Sequence, residues 1–270
     1  MKPYLQSQLD GITDLTIGLP IVREYLQARI LEGLQQAGAF FCLSFHGGTS
    51  LRFLYDIPRY SENLDFGLES QPERYDFTRY LTTIQRRLAA ENYVVEIRTK
   101  KEQPVVNKAF IRFPGLLYEL GLSPHKTQVI AIKLEVDTNP PQGAVSETTL
   151  LQRHVVLHLR HHDRASLMAG KLQAIFNRLV IKGRDWYDLW WYLNQSAWPL
   201  PNFAYLNSGL RQAGSSLPTL TEANWKTILR ERTEALDWAT VLNDVAPFIF
   251  DLDKQSDFNK ERLLGLLDGG

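Results

Sequence analysis

His46-Gly47-Gly48-Thr49-Ser50-Leu51-Arg52, followed by Ser61-Glu62-Asn63-Leu64-Asp65-Phe66, is the stretch of sequence that decides the fold. The apolar run 40–45 ahead of it predicts a short buried strand. Residues 51–55 predict a short helix that stops near Pro58, and residues 64–68 a second strand. Two glycines between a strand and a helix let the backbone approach a ligand with no Cβ in the way. The amides and partial positive charge of the helix start favour an anion such as phosphate, and Thr49 and Ser50 add hydroxyl donors. A tight strand-to-helix turn would use the same glycines. What adds chemistry is the arriving strand, where alternation puts Asn63 and Asp65 on one face, toward the glycine turn, and Glu62 on the other. The stretch lacks G-x-x-x-x-G-K-[ST], so it is no P-loop, and it lacks G-x-G-x-x-G, which disfavours a dinucleotide fold.

Outward from this stretch, apolar residues at helical spacing (Ile21, Tyr25, Leu26, Ile30, Leu31, Leu34) predict a helix over 21–38, started by Pro20 and closed by Gly38. Residues 75–92 form an amphipathic helix, and 93–99, 105–113 and 128–137 read as strands. Asn139-Pro140-Pro141-Gln142-Gly143 breaks the last of these, and 155–159 suggests one more strand. Asp163 then N-caps a helix over 164–178. Helices over 184–193, 203–212, 222–236, 238–249 and 258–267 follow. The chain is therefore expected to be α+β: a mixed sheet with flanking helices over 1–160 and a helical part over 161–270.

Composition limits the partners. The chain has 270 residues, with 30 basic and 30 acidic side chains, so no global field draws it to nucleic acid and any polyanion site must be a local patch. The one cysteine, Cys42, lies in an apolar run, which excludes an internal disulfide and a cysteine-built zinc site and suits a reducing cytoplasm. It is expected as a buried structural thiol. No signal peptide and no apolar run of the ~20 residues that span a bilayer is evident.

The order Gly47-Gly48-Thr49-Ser50-Leu51, then Arg59-Tyr60-Ser61-Glu62-Asn63-Leu64-Asp65-Phe66, is similar to the AbiEii/AbiGii toxin family. These are bacterial nucleotidyltransferase-like toxins of the DNA polymerase β superfamily. A second block resembles the same family: Ala169-Gly170-Lys171-Leu172-Gln173-Ala174, then Arg178, then Arg184-Asp185-Trp186-Tyr187-Asp188-Leu189. The likeness runs over roughly residues 21–193. It implies a polymerase β-like nucleotidyltransferase fold that takes an NTP and Mg²⁺ (or Mn²⁺). It also implies a separately encoded antitoxin, and RNA such as tRNA as the acceptor.

The resemblance implies residue roles as well. Gly47, Gly48, Thr49, Ser50 and Ser61 would hold substrate. Asp65 and a carboxylate from a neighbouring strand would hold metal with position 63. Lys133, Glu135 and Asp137 share one face of the strand 128–137, which equally suits a solvated face; Glu135 is the first candidate for the third ligand and Asp137 the second. Lys171 shares a helix face with Ala174 and Arg178 and would neutralise developing charge, with Arg184, Asp185 and Asp188 completing the wall of the cleft. Arg184 and Asp188, at i, i+4, could equally form a plain surface ion pair.

The chain departs from the family at Asn63, where aspartate is usual, and at His46, where lysine is common. An amide oxygen can ligate a hard cation but brings no charge. Three outcomes follow at position 63: a weaker ligand in a working enzyme, replacement by Glu62, or a site that binds nucleotide without catalysis. Nucleotide transfer, nucleotide or partner binding without transfer, and nucleotidylation of a protein hydroxyl are the functions in view. His154, His158, His161 and His162 carry no ligand spacing and are expected at the polar surface. Trp186, Trp190 and Trp191 are expected as an aromatic wedge into a core.

Overall fold

The protein's structure, a computed structural model, describes residues 2–100, 105–249 and 256–268. Helices α1 (Lys2–Gln8) and α2 (Leu15–Gln36) lead into strand β1 (Leu43–His46) and helix α3 (Gly47–Tyr55). Then come β2 (Asn63–Leu68), α4 (Phe77–Ala90), β3 (Glu96–Lys100), β4 (Val106–Pro114), α5 (Leu116–Glu119), β5 (Val129–Asp137), β6 (Ser146–Arg153) and β7 (Val155–His162). The rest is helical: α6 (Arg164–Asn177), α7 (Gly183–Leu193), α8 (Phe203–Gln212), α9 (Trp225–Glu234), α10 (Trp238–Val245) and α11 (Lys260–Asp268).

The chain divides into two compact units. The first comprises Met1–Leu54, Tyr60–Pro140 and Glu147–His161; the second comprises Tyr55–Arg59, Pro141–Ser146 and His162–Gly270. In the first, the strands form one seven-stranded mixed sheet in the order β3-β4-β5-β2-β1-β7-β6. β2 runs parallel to β5 and β1 parallel to β7, while β1–β2, β3–β4 and β4–β5 are antiparallel. One face of β5 (Ile130, Ile132, Leu134, Val136) is buried against the core with Leu64, Phe66, Ala109 and Ile111; the alternate residues are only half-buried. This is the inside–outside alternation that a sheet covered on one face imposes. α2 packs with α4 in the same core.

Several elements differ from the expectation for physical reasons. α2 begins at Leu15, where Asp14 accepts the Thr16 amide as N-cap, so Pro20 lies inside the helix and forfeits one bond near its N-terminal end. The apolar run 40–45 is split: Ala39–Phe41 is a 3₁₀ turn after Gly38, and β1 starts only at Leu43. β6, with the largely polar sequence Ser-Glu-Thr-Thr-Leu-Leu-Gln-Arg, is an edge strand that brings a partly buried Leu151 to the core but carries no alternating apolar pattern. His161 and His162 are buried rather than surface-exposed, because β7 lies between β1 and β6 in the sheet. Cys42 is buried, as expected.

The second unit packs α6 with α7 and α8, α7 with α10, and α9 with α11. Its core is aromatic: Trp186, Tyr187, Trp190, Trp191, Tyr192, Trp225 and Phe258 are all buried. Asp163 caps α6 by accepting the Ser166 amide, as expected. Gly183 opens α7 where a Cβ would lie 1.9 Å from the Val241 carbonyl oxygen, so α7 and α10 can meet this closely only at a glycine. Among the described residues, no helix is long and apolar enough to cross a membrane.

Candidate active site

Pairing of β2 with β1 and β5 creates a polar row across the first unit's sheet. His46 on β1 is the register partner of Asp65, Asp65 of Glu135, and Glu135 of Lys108 on β4. Directly paired residues project to the same face, and neighbouring strands lie about 4.8 Å apart. One row nearer the start of β2, Asn63 is paired with Lys133; one row the other way, Gly67 is paired with Asp137. The polar face that alternation predicts for Asn63, Asp65, Lys133, Glu135 and Asp137 is thus one surface.

The glycine turn sits on this row. α3 starts at Gly47 itself, whose φ of 80° is a left-handed conformation that favours glycine. A Cβ there would lie 2.8 Å from Asp65 Oδ2, so the turn and the Asp65 carboxylate approach as closely as only a glycine permits. Gly48 is the second residue of α3. Thr49 and Ser50 are buried, and their hydroxyls donate to backbone carbonyls: Thr49 Oγ1 to Asn63 O, and Ser50 Oγ to Gly47 O at 2.7 Å. Thr49 ties the turn to β2, and Ser50 bonds back within the first turn of α3. The carbonyl of Ser61 accepts from Gln27 Nε2 at 3.0 Å, and Glu62 pairs with Arg23 at 3.4 Å. Glu62 is thus engaged away from the face that carries Asn63 and Asp65.

Glu135 is held between two ammonium groups. Lys108 Nζ lies 3.2 Å from its Oε1, and Lys133 Nζ pairs with its Oε2. Lys108, which carries no motif, joins the site because β4 is in register with β5. The Asp137 carboxyl accepts the Asn139 amide at 2.9 Å; burial, with the Glu69 charge adding, pushes its pKa up. Among the described residues, no group of three or more His, Cys, Asp or Glu side chains is gathered as a metal cage. The donors on the face are three carboxylates, Asp65, Glu135 and Asp137, and the Asn63 amide; of the carboxylates, Asp65 and Glu135 are direct register partners. Mg²⁺ commonly takes one or two carboxylates, keeps several waters and shares substrate phosphates. These donors fit one such ion.

The second sequence block forms a buried ionic network inside the second unit. Arg59 Nε and Nη2 bind Asp188 Oδ1 and Oδ2 at 2.5 and 2.6 Å in a bidentate fork. Lys171 Nζ lies 2.7 Å from both Asp188 Oδ2 and Asp185 Oδ1, and Asp185 also binds Arg178. Asp188 is fully buried, and Arg59 and Asp185 nearly so. Despite the desolvation that works against charge, Arg59 and Lys171 hold the Asp188 carboxyl below the ordinary range. The Lys171 ammonium is raised by Asp185 and Asp188 against the same desolvation. Arg184 does not pair with Asp188 on the surface. It lies 3.9 Å from Asp244 and stacks 4.1 Å from the Phe248 ring centroid. Arg59 carries no sequence signal of this role beyond its place in the first motif.

The family model described as "Nucleotidyl transferase AbiEii toxin, Type IV TA system" matches residues 29–259, most of the chain. The chain belongs to this toxin family. Two solved structures are similar to this AbiEii-family chain. A "putative nucleotidyltransferase from H. pylori" superposes with a TM-score of 0.58 at 17% identity, covering 93% of each chain. JHP933 from Helicobacter pylori gives a TM-score of 0.57 at 17% identity, covering 93% of this chain and 90% of that one. At such identity the likeness establishes the fold: a nucleotidyltransferase-like mixed sheet with flanking helices. Comparison with curated proteins gives no match.

Proposed function

We propose that this AbiEii-family chain transfers a nucleotide from an NTP to a hydroxyl of an RNA acceptor such as tRNA, with one divalent ion bound on the Asp65 row. The observation that carries the reading is the pairing of Asp65 with Glu135 beside a glycine turn whose missing Cβ leaves space against Asp65 Oδ2. The amides at Gly47 and Gly48 donate to the triphosphate, aided by the positive end of α3. Thr49 and Ser50 hold that turn in shape. Asp65, the Asn63 amide oxygen and Glu135 would ligand Mg²⁺ or Mn²⁺, which when bound neutralises charge on the phosphates. The acceptor oxygen forms a bond to the α-phosphorus as the bond to the bridging α–β oxygen breaks. Pyrophosphate leaves, and the hydroxyl proton passes to the Asp65 carboxylate. Lys171, Asp185 and Asp188 are held in their own buried charge network in the second unit. A separately encoded antitoxin would silence the activity in the cell.

Incubation with each labelled NTP and a set of RNAs tests the reading. Incorporation that disappears in Asp65→Asn supports it, and absence of Asp65-dependent incorporation with all four nucleotides refutes transfer. Asn63 favours a second reading, a nucleotide-binding protein with an attenuated metal site. NTP binding without transfer, converted to transfer by Asn63→Asp, would select it.

A further inference from the structure

We propose that Lys133 is a triphosphate ligand whose ammonium takes the place of a second divalent ion on the Asp65 row. The inference rests on the nucleotide reading above and specifies how the site supplies positive charge.

Two-metal phosphoryl-transfer sites bind a pair of ions ~3.5–4 Å apart to clamp the attacking and leaving oxygens, and need acidic ligands enough to hold both. The face described here is built differently. Position 63 is a neutral amide, and its register partner across the parallel β2–β5 ladder is Lys133. Lys133 also binds Glu135 Oε2 while Lys108 binds Oε1 of the same carboxylate, so both oxygens of Glu135 already face ammonium groups. Asp65, Glu135 and Asp137 are the carboxylates of the face, and the ammonium groups of Lys108 and Lys133 both go to Glu135. A carboxylate at 63 would pair with the lysine opposite; with asparagine there, the Lys133 ammonium pairs with Glu135. A plain solvated ion pair would need one lysine per carboxylate, yet two converge on Glu135.

Lys133 is also reachable. Its side chain is 29% exposed, against 23% for Lys108. It stands opposite Asn63, whose carbonyl is bound by Thr49 from the glycine-turn helix, so it lies at the level of the turn rather than at the far end of the sheet. An ammonium is a compact point charge with three rotatable donors, suited to phosphate oxygens without defined metal geometry. Lys108, one strand further out, fixes Glu135 so that Lys133 can leave it for a phosphate without stranding the carboxylate; it is a positioning residue.

The experiment uses the full chain. Binding of each of the four NTPs is measured by calorimetry in EDTA and in Mg²⁺ for the parent, Lys133→Met, Lys133→Gln and Lys108→Met. Bound Mn²⁺ is counted by electron paramagnetic resonance in the NTP complex. The parent is expected to bind NTP in EDTA and to take one Mn²⁺ per chain. Both Lys133 variants should lose about tenfold or more in affinity with and without metal, and Lys108→Met less. The double variant Asn63→Asp/Lys133→Met should take up a second Mn²⁺. Lys133 variants that bind within twofold of a binding parent, or two Mn²⁺ per parent chain, overturn the assignment while leaving the nucleotide site standing. A parent that binds no NTP in either condition overturns both.

Discussion

Asp188→Asn is the perturbation whose outcome the structure fixes most tightly. Asp188 is completely buried and accepts from Arg59 Nε at 2.5 Å, Arg59 Nη2 at 2.6 Å and Lys171 Nζ at 2.7 Å. Asparagine keeps the shape but removes the charge and turns one acceptor into a donor aimed at a cation. Arg59 and Lys171 would then keep Asp185 as the nearby carboxylate charge. Breaking a buried ion pair by neutralising one partner costs about 3–5 kcal/mol, against under ~1 kcal/mol for an exposed pair. At a urea m-value of ~2 kcal/mol/M, the midpoint should fall by roughly 2 M. The assay is available without labels, because all six tryptophans, from Trp186 to Trp238, lie in the second unit, so intrinsic fluorescence reports that unit's unfolding. A cycle adds a second constraint: Arg59→Met with Asp188→Leu leaves Lys171 and Asp185 as a neutral pair and should cost less than Asp188→Asn alone. A midpoint shift below ~0.3 M for Asp188→Asn, or a double variant worse than the single one, would refute the buried-network reasoning.

Other outcomes can be checked alongside it. Asp65→Asn should abolish nucleotide incorporation and lower Mn²⁺ affinity at least about tenfold with an unchanged circular dichroism spectrum, since its side chain is only half-buried. Gly47→Ala should cost about 1–2 kcal/mol and weaken NTP binding, because it combines a φ of 80° with a Cβ 2.8 Å from Asp65 Oδ2; unchanged binding would show that the turn does not face the nucleotide. Against the upward push of burial, the His154 hydrogen bond and the charges of Arg153 and Arg52 hold the Glu24 carboxyl at about 2. A lowered folded-state pKa means stability that is fully present above pH ~4.3 and lost as pH falls toward 2, on the order of 3 kcal/mol. Acid titration of Glu24→Gln should lack that limb, and an acid limb identical to the parent's would discount the cluster.

The sequence makes the local half of this site legible and hides the long-range half. Alternation alone assigns Asn63 and Asp65 to one face and Lys133, Glu135 and Asp137 to another, because the side-chain period of a strand is fixed at two. That Asp65 and Glu135 are direct partners requires the register of two strands about seventy residues apart, which the family resemblance anticipated and spacing alone does not. Lys108 was invisible for the same reason: only the β4–β5 register brings it to Glu135. Arg59 lies 129 residues from Asp188, its buried partner, and nothing in its neighbours predicts the fork. The type and place of Thr49 and Ser50 suggest phosphate donors; in the structure both are buried and their hydroxyls donate to backbone carbonyls. β6 carries no strand signal because its edge position does not require an alternating apolar face.

The β2–β5 ladder also sets what kinds of change the protein can survive. One residue inserted between Val129 and Lys133 would move Glu135 into the slot of Val136, inside the core, and bring Leu134 beside Asp65. Exchanging one side chain for another, as at Asn63, tunes the charge on the face without disturbing this frame. A change of length outside the two paired strands leaves this register intact. The site can thus be retuned by single substitutions, whereas a slip along either strand dismantles it.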